Sequence, residues 1–243
     1  MNIGILGTGE VGSAVKKIVN EKHRVFTANT RQDFIKNRKI TVLHICIPYD
    51  NQFVKIAVQA IKKYNPLLTI IESTVAPGTT DSIFRQTKKL ICHSPIRGSH
   101  PDLSRGIKTF VKYIGPASKK AGTEAARYYE GLGLKTEICT SARTTEIAKL
   151  MDTTYYGWNI IFQKEIEKIC KTHGIPFAEA YTSWNVTYNQ GYKKLGEMHV
   201  IRPVLRSVKG KIGGHCVIPN CEILERTLSN PLSQTILKLN KNY

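Results

Sequence analysis

Asn2-Ile3-Gly4-Ile5-Leu6-Gly7-Thr8-Gly9-Glu10-Val11-Gly12 decides the reading of this chain. A short apolar run, Asn2 to Leu6, reads as a strand, and it stops at a glycine cluster that opens a helical pattern from Glu10 to about Val19. Gly7, Gly9 and Gly12 fall at GxGxxG spacing in the strand-turn-helix context that the motif requires. Gly7 permits the tight turn, Gly9 lets backbone approach a pyrophosphate, and Gly12 lets the helix pack on the strand. The helix start, with Glu10 and Val11, offers unpaired N–H groups to phosphates. The plainer alternative is a glycine-rich turn without a ligand. Where a dinucleotide site often carries an acid after the second strand, this chain reads Ala28-Asn29-Thr30-Arg31. Asn29 has no charge to repel a 2′-phosphate and Arg31 can pair with one, so the expected cofactor is NAD or NADP. Pro48, just past the third strand, joins these cofactor residues.

Outward from this turn, strands alternate with helices. His23–Ala28, Thr41–Ile47, Leu67–Ile71 and Leu90–Cys92 read as strands, with helices at Asn51–Lys63 and Thr79–Thr87; Lys112–Gly115, Ala117–Leu132 and Lys135–Cys139 continue the rhythm. Such alternation implies a Rossmann-type, doubly wound parallel sheet in an α/β domain over 1–140. The β signal then fades. Thr144–His173 reads as one long helix, followed by Phe177–Leu195 and Cys216–Leu228, so 141–243 is expected to be a smaller all-helical domain for substrate contact and dimerisation. Asn240–Tyr243 reads as a polar tail that frays.

The chain has 243 residues, and 36 Lys and Arg against 18 Asp and Glu give a formal charge of +18. That excess favours anionic partners, whether nucleotide, sugar phosphate, nucleic acid or membrane surface, and says nothing about fold. Nucleic acid is an alternative rather than the lead, because no detached basic arm exists. The cysteines are spread without CxxC spacing, which suits a reduced compartment and gives no metal site. The amino terminus enters a strand pattern at once and no long apolar run follows, so the expectation is a cytoplasmic protein without membrane contact.

The second informative stretch is Ile212-Gly213-Gly214-His215-Cys216. Two glycines let a substrate approach the sulfur, and a helix N-terminus favours a thiolate, so Cys216 is a candidate nucleophile. His215 reads as a lining group rather than its base; the plainer reading of Cys216 itself is a buried, inert cysteine. A basic stretch precedes it, Lys193, Lys194, Arg202, Arg206, Lys209 and Lys211, with Glu197 as counter-charge.

In several ordered motifs the sequence resembles the UDP-glucose/GDP-mannose (nucleotide-sugar) 6-dehydrogenase family. Beside the glycine motif, Glu72-Ser73-Thr74-Val75-Ala76-Pro77-Gly78-Thr79-Thr80 resembles its STVPPGTT loop, Glu146-Ile147-Ala148-Lys149-Leu150 its ELAKL segment, and Gly213-Gly214-His215-Cys216 its GGHC segment. The resemblance implies an NAD(P)-dependent oxidoreductase that takes a sugar-type primary alcohol to the carboxylate through a Cys216 thiohemiacetal and thioester. It implies that Lys149 stabilises an oxyanion or relays a proton, and that Thr74 holds a water or the nicotinamide ribose. Arg97, Thr153, Lys209, Gly213, Gly214 and Asn220 are the substrate-side candidates, with Ser99 and His100 as further polar groups of the 94–102 loop.

Three positions depart from the family. Ile96 stands where its PE motif has a carboxylate, Thr153 where it has Asn one turn after the lysine, and Asn220 where it has Asp after the cysteine. Ile96 cannot act as acid or base. The resemblance also stops before the family's second α/β domain, so the expectation is a short form lacking the nucleotide-sugar-binding domain. The expected assembly is a homodimer paired through the long helix. Rival readings are a single-step β-hydroxyacid-type dehydrogenase using Lys149, and a non-catalytic dinucleotide-binding protein.

Overall fold

The computed structural model describes residues 1–98 and 102–243. It divides into two compact units, Met1–Lys149 and Leu150–Tyr243. In the first, β1 (Asn2–Leu6), β2 (Arg24–Ala28), β3 (Val42–Ile45), β4 (Leu68–Ile71), β5 (Leu90–His93), β6 (Lys112–Pro116) and β7 (Thr136–Ile138) form one sheet in the order β2-β1-β3-β4-β5-β6-β7. Strands β1 to β5 are parallel. Their side chains alternate between two cores, as a sheet covered on both faces requires. Ile3, Ile5, Val42, Leu68, Ile70 and Cys92 face helices α1 (Glu10–Val19), α4 (Leu103–Thr109) and α5 (Lys119–Gly131). Leu6, Leu43, Ile45, Ile71 and Ile91 face α2 (Phe53–Tyr64) and α3 (Thr79–Thr87). This is the doubly wound arrangement. The order reverses between β1 and β3, and such a switch point opens a crevice at the carboxyl ends of the strands.

The sheet departs from the expected parallel rhythm at its far edge. Strand β6 pairs antiparallel with β5, at Cys92 with Pro116 and His93 with Gly115, and β7 runs parallel to β6. The cause is α4, which the periodicity missed: the chain passes through it without crossing back, and Lys112 enters β6 beside the carbonyl of Ser94 at the end of β5.

The long helix α6 (Ala142–Thr172) crosses the boundary between the units. From Leu150 onward, the second unit is helical: a π-helical turn over Ala178–Ser183, α7 (Trp184–Lys194), α8 (Val217–Leu228) and α9 (Pro231–Asn240). Ile161 of α6, Val217 and Cys221 of α8 and Ile236 of α9 form its core. Gly157 lets α8 come close, since a Cβ there would lie 2.6 Å from Val217 Cγ1.

Two expectations change here. Helix α9 was absent from the sequence reading, although Asn230 caps it, accepting from the Leu232 and Ser233 amides, and Pro231 starts it. The carboxyl-terminal residues are tied rather than frayed: Asn240 Oδ1 accepts from the Ile212 amide at 2.6 Å and Tyr243 Oη donates to Glu165. Among the described residues no helix is long and apolar enough to cross a membrane. Ile236→Ala empties a fully buried site in this small core and is expected to destabilise the helical unit by about 2–5 kcal/mol, measured by urea unfolding.

Candidate active site

At the switch point the glycines do different jobs. Gly7 sits at φ +95°, and a Cβ on it would meet the Cys46 carbonyl oxygen at 2.5 Å. A Cβ on Gly12 would lie 1.9 Å from the Gly7 oxygen. Both are therefore fixed by close approach of backbone to backbone. Gly9, at the N-cap of α1, has nothing within 4 Å of its would-be Cβ, so it faces open space. Glu10 and Val11 begin the helix. This is a helix N-terminus behind an unobstructed glycine, a cradle that fits a pyrophosphate.

The strand ends around it are tied together. Cys46 N donates to Leu6 O at 2.8 Å, and Ser73 Oγ donates to the Ile47 carbonyl at 2.6 Å, next to exposed Pro48. Asn29 closes the turn after β2, its Oδ1 accepting from the amides of Arg31 (2.8 Å) and Gln32 (2.9 Å) and its Nδ2 donating to Thr8 Oγ1 (3.0 Å). It anchors that turn to the glycine loop, and Arg31 is exposed beside it. The nearest acid in sequence, Asp33, is committed to Lys63 at 2.6 Å.

The 72–80 loop is held from α6. Glu146, fully buried, accepts from Gly78 N (2.6 Å), Thr80 N (2.8 Å) and Thr80 Oγ1 (2.7 Å), capping α3. This leaves Thr74 half-buried on the loop and Lys149 half-buried one turn beyond Glu146, rather than on a fully solvated face. Buried His93 sits between these parts, its Nε2 donating to the Ser73 carbonyl at 3.1 Å and its Nδ1 accepting from Thr145 Oγ1 at 2.8 Å. Burial, helped by the charges of Lys112 and Lys149, pushes this imidazole down to about 3, so it stays neutral. Glu146 and His93 had no role in the sequence reading, because their partners lie far along the chain.

Ile96 is 6% exposed and packs in the core, so the position of the family carboxylate has become structural. Arg97 stacks over Phe110 (5.2 Å) and Tyr113 (5.6 Å), which fixes its guanidinium. Ser99 and His100 lie outside the described residues.

In the second unit Cys216 is exposed at the N-cap of α8 and is therefore not a buried cysteine. Gly213 and Gly214 meet nothing within 4 Å, and Gly214 needs its positive φ of +79° to turn the chain into the helix. One turn on, Asn220 is buried and its Nδ2 donates to Thr153 Oγ1 at 3.0 Å. The two departures from the family pattern thus contact each other as a neutral pair. Lys164, 4% exposed and unremarked in the sequence, donates to the carbonyls of Val208 (2.5 Å) and Gly210 (2.7 Å), holding the strap around exposed Lys209. Behind that strap a cavity of about 340 Å³ has a mainly apolar wall that includes Tyr156, Ile160, Leu205, Ile212 and Val217, with Arg206 and Lys211 also on it.

This arrangement has relatives. Over 223 residues the chain is 30% identical to a protein named UDP-N-acetyl-D-mannosamine dehydrogenase from Methanocaldococcus jannaschii. The chain is a homologue of the nucleotide-sugar dehydrogenases. The match takes in 84% of this chain and 49% of that relative, so the chain spans about half the length of the curated relatives it matches. The solved UDP-D-ManNAc dehydrogenase of Pyrococcus horikoshii shares the fold, with a TM-score of 0.81 at 20% identity over 100% of this chain and 68% of that one. A 3-hydroxyisobutyrate dehydrogenase of Mycobacterium tuberculosis shares it too, with a TM-score of 0.69 at 15% identity over 99% of this chain and 92% of that one. No protein-family model matches the chain.

The depressed His93 gives a pH test. The unfolded imidazole takes a proton near 6.5 while the folded one resists to about 3, so the unfolded state binds more protons between these values and acid progressively disfavours the fold. Between pH 7 and pH 4 the wild type is expected to lose about 3 kcal/mol more than His93→Gln, read from urea midpoints; equal losses contradict the buried neutral imidazole.

Proposed function

We propose that this chain is the catalytic portion of a nicotinamide-dinucleotide-dependent dehydrogenase that oxidises a primary alcohol on an anionic sugar, a nucleotide sugar in the first instance. The observation that carries this reading is an open Gly9 at a helix N-terminus, backed by crowded Gly7 and Gly12, in a chain homologous to nucleotide-sugar dehydrogenases over 84% of its length. Gly7, Gly9, Glu10, Val11 and Gly12 would hold the pyrophosphate, with Pro48 and Thr74 along the nicotinamide half. Asn29 and Arg31 would meet the adenosine ribose. With no carboxylate free at that turn, NADP is accepted at least as readily as NAD.

When bound, the dinucleotide supplies the hydride acceptor for two successive oxidations. Lys149 steadies the alcohol oxygen as its proton leaves. Cys216 Sγ adds to the aldehyde carbon, the carbonyl oxygen taking a proton, to give a thiohemiacetal; loss of hydride and of that proton leaves a thioester. Water then adds and the carboxylate departs, returning the thiol. The Thr153–Asn220 pair, one turn into the helix that Cys216 heads, supplies the polar contacts there, since Ile96 supplies none. Gly213 and Gly214 leave the sulfur open, and Arg97 and Lys209 meet the anionic part of the substrate. Soluble expression and a cytoplasmic site of action fit this chemistry.

Assembly follows from α6. Met151, Tyr155, Trp158, Phe162 and Ile169 are exposed at steps of four, three, four and seven residues, an apolar seam on one helix face. An antiparallel copy centred on residue 160 sets Trp158 against Phe162 and Met151 against Ile169, with Tyr155 opposite Glu165. A homodimer is expected in light scattering after size exclusion, and Phe162→Glu is expected to give monomer; a wild-type monomer contradicts the pairing.

The reaction is tested by reduced-cofactor yield. With NAD and NADP across nucleotide sugars, sugar phosphates and free sugars, the wild type is expected to form two equivalents per substrate, and Cys216→Ser to form no acid. One equivalent that resists thiol alkylation favours the single-step Lys149 enzyme, and binding without turnover favours the sensor protein.

A further inference from the structure

A cluster of buried, hydrogen-bonded ionisable groups lies directly beneath the crevice and takes no part in the chemistry above. Glu72, 2% exposed, accepts on Oε1 from His44 Nδ1 (2.9 Å) and Tyr129 Oη (2.7 Å), and on Oε2 from Lys112 Nζ (2.6 Å). Lys112, 4% exposed, also donates to the Ser94 carbonyl (2.5 Å), and His44 Nε2 is hydrogen-bonded to Tyr128 Oη (2.8 Å). Burial works against the Glu72 carboxylate, yet the charge of Lys112 and the His44 bond hold it down at about 2.

A buried ion pair is weak evidence for stability, because desolvation consumes most of its attraction and an apolar replacement of similar volume is often neutral or stabilising. What this pair does is geometric. His44 lies in β3 two residues before Cys46, whose carbonyl backs Gly7. Glu72 directly follows β4 and precedes Ser73 and Thr74. Ser94 follows β5 and leads to Ile96 and Arg97, and the Ile96 amide reaches back to the Glu72 carbonyl at 3.4 Å. One carboxylate and one ammonium therefore join the ends of three adjacent strands at the crevice.

We propose that Glu72 and Lys112 are positioning residues that hold the loops after β3, β4 and β5 in the register that receives the dinucleotide. The inference rests on the dinucleotide-binding reading of the crevice. Unlike a packing contact, the pair fixes loop positions through directed hydrogen bonds, which an apolar pair fills without reproducing.

The full-length double variant Glu72→Met/Lys112→Met tests this. It is expected to fold with a lowered melting temperature, because the buried His44 and Tyr129 donors lose their acceptor, to bind NADH and NADPH at least tenfold more weakly in fluorescence titrations, and to exchange the Thr74, Val75 and Ile96 amides faster with deuterium. A folded variant with dinucleotide affinity within twofold of wild type and unchanged exchange overturns the proposal. If wild type binds neither dinucleotide, the reading of the glycine turn fails and the exchange rates alone decide the positioning role. If the double variant does not fold, Tyr129→Phe decides by the same two readouts: about threefold weaker binding with faster exchange supports the role, and no change in either overturns it.

Discussion

The site depends on how closely α1 approaches the end of β1. A side chain at Gly12 would collide with the Gly7 carbonyl, and one at Gly7 with the Cys46 carbonyl, so three backbone segments meet with no side chains between them. That contact brings the first turn of α1 to the point where the strand order reverses. Gly9 is the one glycine of the motif that the fold itself leaves uncrowded. A fold that spends two glycines on packing and leaves the third open to solvent is shaped for a ligand rather than for a turn alone.

Within each unit the polar groups divide into those that hold neighbouring segments and those that face solvent. Glu146, His93, Glu72, Lys112 and Lys164 are buried and bonded to neighbouring backbone or side chains. Cys216, Lys209 and Arg31 are exposed. Glu146 and His93 hold the 72–80 loop through Gly78, Thr80 and the Ser73 carbonyl, which restricts the motion of the segment that carries Thr74. The loop before Cys216 is treated the same way, with Lys164 at its carbonyls and Asn240 at the Ile212 amide.

Local signals were legible in the sequence. The limits of β1, α1 and α3 match the reading because each borders a glycine, Gly7 and Gly78 in the positive-φ conformation their turns require and Gly9 at the N-cap of α1. Long-range pairings were not. The direction of β6 depends on α4, whose seven residues are too short for periodicity to show. Helix α9 hid behind its polar end, although the Asn230-Pro231 start was a readable cap. Thr153 and Asn220, read singly, were losses of family groups, whereas in space they complete one hydrogen bond across 67 positions. The Glu72 cluster joins residues 28 to 57 positions apart, a separation that no local pattern encodes.

The central claim is that the glycine turn receives a dinucleotide, and Gly9 allows it to be tested without disturbing the fold. Because nothing lies within 4 Å of a Cβ at Gly9 and its φ of −70° suits any residue, Gly9→Val is expected to fold and melt as wild type does. Calorimetric titration with NAD and NADP should show binding by the wild type and none by Gly9→Val. Equal binding by both proteins, or none by the wild type, would contradict the account.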